Sequence, residues 1–171
     1  GSEKRTQASA SCQRELPMTI SGFTILRNGV KFDYPFIESL RSLIPLCDEL
    51  VINVGASEDD TRERVRAWME NLPENQRRRV KVIESVWPLD DPEKRKGGRI
   101  LAEQTNIALD KCTGDWCVYL QADEVLHEKD IDVIRGELKA SDRTQGVDGL
   151  VLNYIHFYGT FDVTAYASYT F

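Results

Sequence analysis

Residues 50–72 read LVINVGASEDDTRERVRAWMENL, and this stretch decides the fold. Leu50-Val51-Ile52-Asn53-Val54 is a short, nearly continuous run of β-branched and aliphatic residues, the composition of a strand covered on both faces. Gly55 to Asp60 (GASEDD) are small or polar and read as a turn. Asp60, followed three residues later by Glu63, predicts a capping-box helix start. Val65, Trp68, Met69 and Leu72 then recur at helical spacing, and Pro73 and Asn75 end the run. Strand, tight turn and helix in this order make half of a parallel βαβ crossover.

The same alternation continues in both directions. Toward the amino terminus, Ile20 to Leu26 is a strand-like run. Asp33-Tyr34-Pro35 then opens a helix whose stripe is Phe36, Ile37, Leu40, Leu43, Ile44 and Cys47. Toward the carboxyl terminus, Val80 to Ile83 is a third strand, and Ser85 to Gly98 a long loop. Ile100, Leu101, Ile107, Ala108 and Leu109 mark a helix that ends near Thr113-Gly114. Trp116 to Leu120 is a fourth strand, apolar enough to be expected in the centre of the sheet. Ile131, Ile134 and Leu138 mark a fourth helix, and Gly149 to Ile155 a fifth strand. The order βαβαβαβαβ predicts an α/β fold, a three-layer α/β/α Rossmann-like arrangement with a mainly parallel sheet and right-handed crossovers. Ligands of such sheets sit beyond the carboxyl ends of the strands. That rule selects Arg27-Asn28, Gly55 to Asp60, Ser85 to Arg99, Gln121 to Glu124 and His156 to Gly159.

Composition narrows the function classes. The chain has 171 residues, 22 Lys and Arg against 28 Asp and Glu, and a net charge of -6. That length suits one domain, expected over residues 18–171, with residues 1–17 as a polar tag or arm. An acidic chain is not built to coat nucleic acid, which needs a cationic face. No apolar run approaches the ~20 residues that span a bilayer, so no transmembrane segment is expected. Residues 1–17 lack the apolar centre of a signal peptide. Cys12, Cys47, Cys112 and Cys117 lack paired metal spacing and are expected as free buried thiols, which places the chain in the cytoplasm.

Four segments could carry chemistry. Gln121-Ala122-Asp123-Glu124 puts two adjacent carboxylates at the end of an apolar strand, costly unless paired or bound to a cation, and hard oxygen ligands suit Mg²⁺ or Mn²⁺. Asp123 as the cap of the next helix is the plainer alternative. Gly55 to Thr61 could hold a nucleoside by hydrogen bonds, or simply turn the chain. Lys94-Arg95-Lys96-Gly97-Gly98-Arg99 is a basic cluster leading into a helix, which favours phosphate, although charge runs are also commonly solvated. His156-Phe157-Tyr158-Gly159 could line a pocket with one titratable group.

Together these pieces resemble family-two glycosyltransferases of the GT-A fold. The resemblance runs through residues 20–30 (ISGFTILRNGV), 51–61 (VINVGASEDDT), 97–115 (GGRILAEQTNIALDKCTGD) and 116–124 (WCVYLQADE), in that order. It implies a transferase moving sugar from a nucleotide-diphosphate donor to a glycan or lipid-linked acceptor, with Mn²⁺ or Mg²⁺ on the diphosphate. Asp123 and Glu124 would hold the metal, since Gln121 stands where the motif has its first acid. Arg27, Asn28, Ser57, Asp59, Arg99 and Gln121 would surround the nucleotide-sugar. The metal and an arginine would neutralise charge developing on the departing diphosphate. The family's acceptor site and general base lie beyond the fifth strand, so the chain corresponds to the donor-binding part and its catalytic base is not assigned. Residues 160–171 (TFDVTAYASYTF) are aromatic and apolar, which would promote association of copies. A non-catalytic nucleotide-sugar or glycan binding module of the same fold is the alternative. A nucleotidyltransferase is a poor match, because residues 25–31 (ILRNGVK) lack its glycine- and lysine-rich loop.

Overall fold

The structure is a computed structural model, and it describes residues 17–142 and 144–165. Strand β1 (Ile20–Leu26) is followed by helix α1 (Phe36–Leu43), strand β2 (Glu49–Gly55), helix α2 (Thr61–Glu70) and a single turn, α3 (Glu74–Arg77). Strand β3 (Val80–Ser85) leads through the short α4 (Pro92–Arg95) and a 3₁₀ turn into helix α5 (Arg99–Leu109). Strand β4 (Trp116–Tyr119), helix α6 (Ile131–Ser141) and strands β5 (His156–Tyr158) and β6 (Thr160–Ala165) complete it. The main sheet has the order β3-β2-β1-β4 and is parallel throughout.

The pleat divides the strands between two cores. Ile20 and Leu26 of β1, and Leu50, Ile52 and Val54 of β2, face α1, α2 and α6. Phe23, Ile25 and Val51 face the other way, against Ala108 of α5. Helices therefore cover both faces, as the alternation predicts. Every residue of β1 is buried, and in β2 only Glu49 is not. Burying a side chain such as Leu50 or Ile52 stabilises by about 1.5–3 kcal/mol. Gly22 lies close under Leu43 and Cys47 of the α1 layer, where a larger residue would collide with the Cys47 sulfur.

Several expectations are corrected. β4 is an edge strand and not the central one, because it pairs only with β1 in the main sheet. Trp116 and Val118 are half-buried, whereas Cys117 and Tyr119 are exposed. Consequently only Cys47 is a fully buried thiol among the described cysteines, all three of which are free. Residues 149–155 form no strand. The chain instead makes a separate antiparallel pair of β5 and β6, turning at Gly159 with φ 73°. An apolar run becomes a strand only when a neighbouring edge accepts its backbone hydrogen bonds, and composition does not choose that neighbour. The capping box is also absent, since the Asp60 side chain makes no cap hydrogen bond. Asp59 does this work, its Oδ1 accepting from the Thr61 backbone N–H at 3.0 Å and from the Thr61 hydroxyl at 2.5 Å. Residues 1–16, with Cys12, and residues 166–171 of the apolar tail lie outside the described residues.

Candidate functional site at the carboxyl edge of the sheet

The loops that follow β1 and β2 are laced into one body. Asn28 is buried and adopts the left-handed conformation, φ 53°, which asparagine tolerates better than most residues. Its backbone N–H donates to Ser57 Oγ at 3.0 Å, and its Oδ1 accepts from the Glu58 backbone N–H at 2.8 Å. Ser57 Oγ in turn donates to the Gly55 carbonyl at 3.0 Å. Arg27 Nε donates to the Ala56 carbonyl at 3.0 Å, and its guanidinium reaches Glu58 at 3.2 Å. The Lys31 backbone N–H donates to Asp59 Oδ2 at 2.7 Å, and the Lys31 ammonium pairs with Glu58 at 2.7 Å. Burial pushes the Asp59 carboxyl up, but hydrogen bonds from the Thr61 hydroxyl and from the backbones of Lys31, Thr61 and Val30 outweigh it and hold it below the usual range. The Lys31 ammonium, hydrogen-bonded to Glu58, holds that carboxyl low as well.

Arg27, Asn28, Ser57 and Asp59, which the resemblance places around the nucleotide-sugar, lie together, and much of their hydrogen-bonding capacity holds the two loops to each other. Beside them opens a cleft of about 320 Å³ at the ends of β2 and β3. Val54 to Ser57, Asp59, Arg62, Glu63 and residues 84–86 line it. Its charged wall is internally paired, with Arg62 reaching both Glu63 and Glu84 and Arg66 also on Glu84.

Sequence reading missed the polar cluster that props this cleft. Asn53 Nδ2, in the buried face of β2, donates to the Gln104 carbonyl at 2.9 Å and to its Oε1 at 3.1 Å. Ser85 Oγ donates to the same Oε1 at 2.6 Å, and Gln104 Nε2 reaches the Val86 carbonyl at 3.4 Å. The signal was present, because an asparagine inside an apolar strand requires a partner. The Trp87 ring lies against Gly55.

The third loop contains Gln121, Asp123 and Glu124. Gln121 and Glu124 close a tight turn on themselves. The Gln121 backbone N–H donates to Glu124 Oε2 at 3.0 Å, and the Glu124 N–H to the Gln121 carbonyl at 3.0 Å. Ser39 Oγ of α1 also donates to that carbonyl, at 3.1 Å, which fixes the turn against the first turn of α1. Asp123 projects exposed from the turn. No group of three or more metal-ligating side chains occurs among the described residues. One exposed carboxylate still fits a Mg²⁺ or Mn²⁺ ion that is shared with a diphosphate, the usual arrangement for these cations, and does not fit an all-protein cage.

Arg99, exposed, is the first residue of α5, preceded by Gly97 and Gly98 in the left-handed conformation. The basic cluster before it is partly neutralised, with Lys94 paired to Glu103 and Lys96 to Glu93. His156 is exposed in the separate β5–β6 pair, stacked edge-on against Tyr154 at 4.6 Å, and does not line the cleft.

No protein-family model and no curated protein matches the chain. Solved structures do. Residues 1–349 of TarS from S. aureus superpose with a TM-score of 0.53 at 19% identity, over 80% of this chain and 39% of that one. The same TarS fragment in complex with UDP gives a TM-score of 0.51 at 19% identity, over 80% and 38%. Glucosyl-3-phosphoglycerate synthase from Mycobacterium tuberculosis, in complex with UDP, gives 0.48 at 21% identity, over 75% and 42%. The TarS likeness shows the fold, a Rossmann-like α/β arrangement. The chain spans about 39% of the TarS fragment's length.

Proposed function

We propose that this chain is the donor-binding part of a metal-dependent glycosyltransferase that acts on a nucleotide-diphosphate sugar. The observation that carries the reading is the carboxyl edge itself: two laced loops beside a 320 Å³ cleft, with an exposed carboxylate on the loop after β4. The TarS fragment of like fold, solved with UDP, supports it. Ser57 and Asp59 line the cleft, where a nucleoside would lie, and Arg27 and Asn28 hold its lip. Asp123, with Glu124 behind it, would hold Mn²⁺ or Mg²⁺. When bound, that cation supplies positive charge to the diphosphate leaving group. Arg99 would add a second positive charge at the amino end of α5, where backbone N–H groups also favour phosphate. The acceptor would be a glycan or a lipid-linked acceptor, and the reaction a cytoplasmic one.

The test is a thermal-shift titration with UDP, GDP, ADP and TDP, each with and without Mn²⁺. A ligand at 100 times its dissociation constant adds about 2.7 kcal/mol. For a chain of this size that raises Tm on the order of 5–10 °C. The expected result is a Mn²⁺-dependent rise with one base, abolished in Asp123→Ala without a change in the unliganded Tm. No rise with any of the four, with or without metal, would overturn the reading.

A further inference from the structure

Two free thiols meet at the amino edge of the sheet, the end opposite the candidate site. Cys112 lies just past helix α5, and Cys117 lies in β4. The pleat of β4 sets the direction of Cys117. Trp116 and Val118 pack against the α1 core, so Cys117 between them faces the α5 layer. Cys112 packs in that same layer, against the cluster of Phe23, Ile25, Val51 and Ala108. Its Sγ lies 3.6 Å from the Ala108 carbonyl oxygen. The Cys112 and Cys117 thiols are hydrogen-bonded to each other. Cys47 belongs to the core on the other face of the sheet.

Ser21 pins this corner. It pairs with Cys117 in the β1–β4 ladder and with Glu49 in the β1–β2 ladder. Ser21 Oγ donates to Glu49 Oε1 at 2.8 Å, and it accepts from the backbone N–H groups of Thr113 at 3.2 Å and Gly114 at 2.8 Å. The Thr113 N–H also reaches Glu49 Oε1 at 2.9 Å. Gly114 is pressed on β1, where a Cβ would meet the Ser21 nitrogen. The turn between the two cysteines is therefore held by folded contacts at its loop and at its strand. Cys117 is exposed and Cys112 half-buried, so the pair has one open side.

We propose that Cys112 and Cys117 form a reversible dithiol–disulfide site, entered by small-molecule disulfides at the exposed Cys117 and closed by Cys112. It goes beyond the transferase reading and does not depend on it. In the first step Cys117 releases its proton to water, and the thiolate attacks a disulfide R–S–S–R such as oxidised glutathione. A mixed disulfide forms and one RS⁻ departs. In the second step Cys112 gives its proton to that RS⁻ and attacks the Cys117 sulfur. The internal S–S bond forms, and the second RS⁻ leaves and takes up the proton held by water. Two protein thiols are oxidised, and one R–S–S–R is reduced to two RSH. Burial pushes Cys112 up to about 12 and raises Cys117 as well, while the hydrogen bond with Cys112 draws Cys117 back down. Cys117 is thus the sulfur that ionises first. Exchange is slow at neutral pH, as suits a clasp set by the surrounding thiol–disulfide balance and not a fast peroxide sensor.

The experiment equilibrates the native chain with glutathione buffers of increasing oxidised share at mildly alkaline pH. The remaining thiols are then alkylated with iodoacetamide and the chain is digested with trypsin. Residues 112–129, cut after Lys111 and after Lys129, make one peptide that holds Cys112 and Cys117 and no other cysteine. The expected product is that peptide without label and lighter by two hydrogens, returned to the doubly labelled form by dithiothreitol. The urea-unfolded chain should need on the order of tenfold more oxidised glutathione for half conversion, since only the fold holds the sulfurs together. Cys112→Ser should trap glutathione on Cys117, and Cys117→Ser should trap far less on Cys112; the reverse order would overturn the assignment of the entry thiol. The site itself is overturned by a doubly labelled peptide at every glutathione ratio, by glutathione on both cysteines without the internal bond, by a crosslink to Cys12 or Cys47 in its place, or by equal oxidation of the folded and unfolded chains.

Discussion

Asn28 shows how one side chain can serve position and function together. Its left-handed backbone turns the chain out of β1, and its amide oxygen caps the Glu58 N–H from 2.8 Å. Asn28→Ala removes the acceptor and leaves that N–H without its partner, so a loss of about 1–3 kcal/mol is expected in urea denaturation. Asn28→Gly loses the same bond but relieves the backbone, and should cost measurably less. Gln104→Ala leaves Asn53 Nδ2 only the backbone carbonyl at position 104 and takes the acceptor from Ser85 Oγ, and should cost a similar 1–3 kcal/mol, with Ser85 and Val86 losing their prop at the cleft. Equal stability of Asn28→Ala and the parent would mean that the bond from the Glu58 N–H to Asn28 Oδ1 contributes nothing.

At the level of whole elements, two glycines separate packing from backbone strain. Gly55 ends β2 with the Trp87 ring pressed on its Cα, so Gly55→Ala forces the indole to move. Overpacking of this kind costs about 1–3 kcal/mol. Gly98 precedes α5 with φ 72° and open space around it. Gly98→Ala therefore meets no atom and is charged only for the left-handed backbone, about 1–2 kcal/mol. Chemical denaturation of both variants, with the Trp87 fluorescence followed in each, distinguishes the two causes. Only Gly55→Ala should change the tryptophan emission of the folded state. A changed emission in Gly98→Ala would show that the turn before α5 is packed and not merely bent.

Across the whole molecule, charge and burial set how stability changes with pH. Asp59, Glu58, Asp115 and Glu49 all have carboxyls held below their ordinary values. In Asp115 the Thr19 backbone and hydroxyl do this. In Glu49, burial pushes upward, and hydrogen bonds from Lys81, Ser21 and the Thr113 backbone overcome it. A depressed folded value gives stability that is present above the unfolded value and lost as pH falls through the folded one. Tm should therefore be flat above roughly pH 5 and fall below about pH 4. Burial raises Cys47 from 9.0 to about 12. The sign is opposite there: the stability is complete below pH 9 and lost as pH climbs toward 12. Cys47→Ala should lower the neutral-pH stability yet flatten the alkaline limb, which a Tm series from pH 8 to pH 11 reads directly. An alkaline limb unchanged by this variant would remove Cys47 as its cause.

Local pattern determined most of the architecture. β1, β2, α1, α2, α5 and α6 follow from runs and stripes in the sequence, because the period of burial is written in residue order. The carboxyl-edge rule selects the segments Arg27-Asn28 and Gly55 to Asp60, and the family resemblance picks Arg27, Asn28, Ser57 and Asp59 within them. Tertiary structure alone decided the rest. It put the apolar β4 at the edge and left residues 149–155 outside the sheet, since strand neighbours depend on which edges meet and not on composition. It gave the helix cap to Asp59 instead of Asp60, since a cap is a matter of direction over a few ångströms. It turned Glu124 back on Gln121, left Asp123 outward, and shaped the loop after β1 through partners 28 to 31 residues away. Sequence spacing carries periodicity, and only folded contacts carry the long-range hydrogen bonds that aim a side chain.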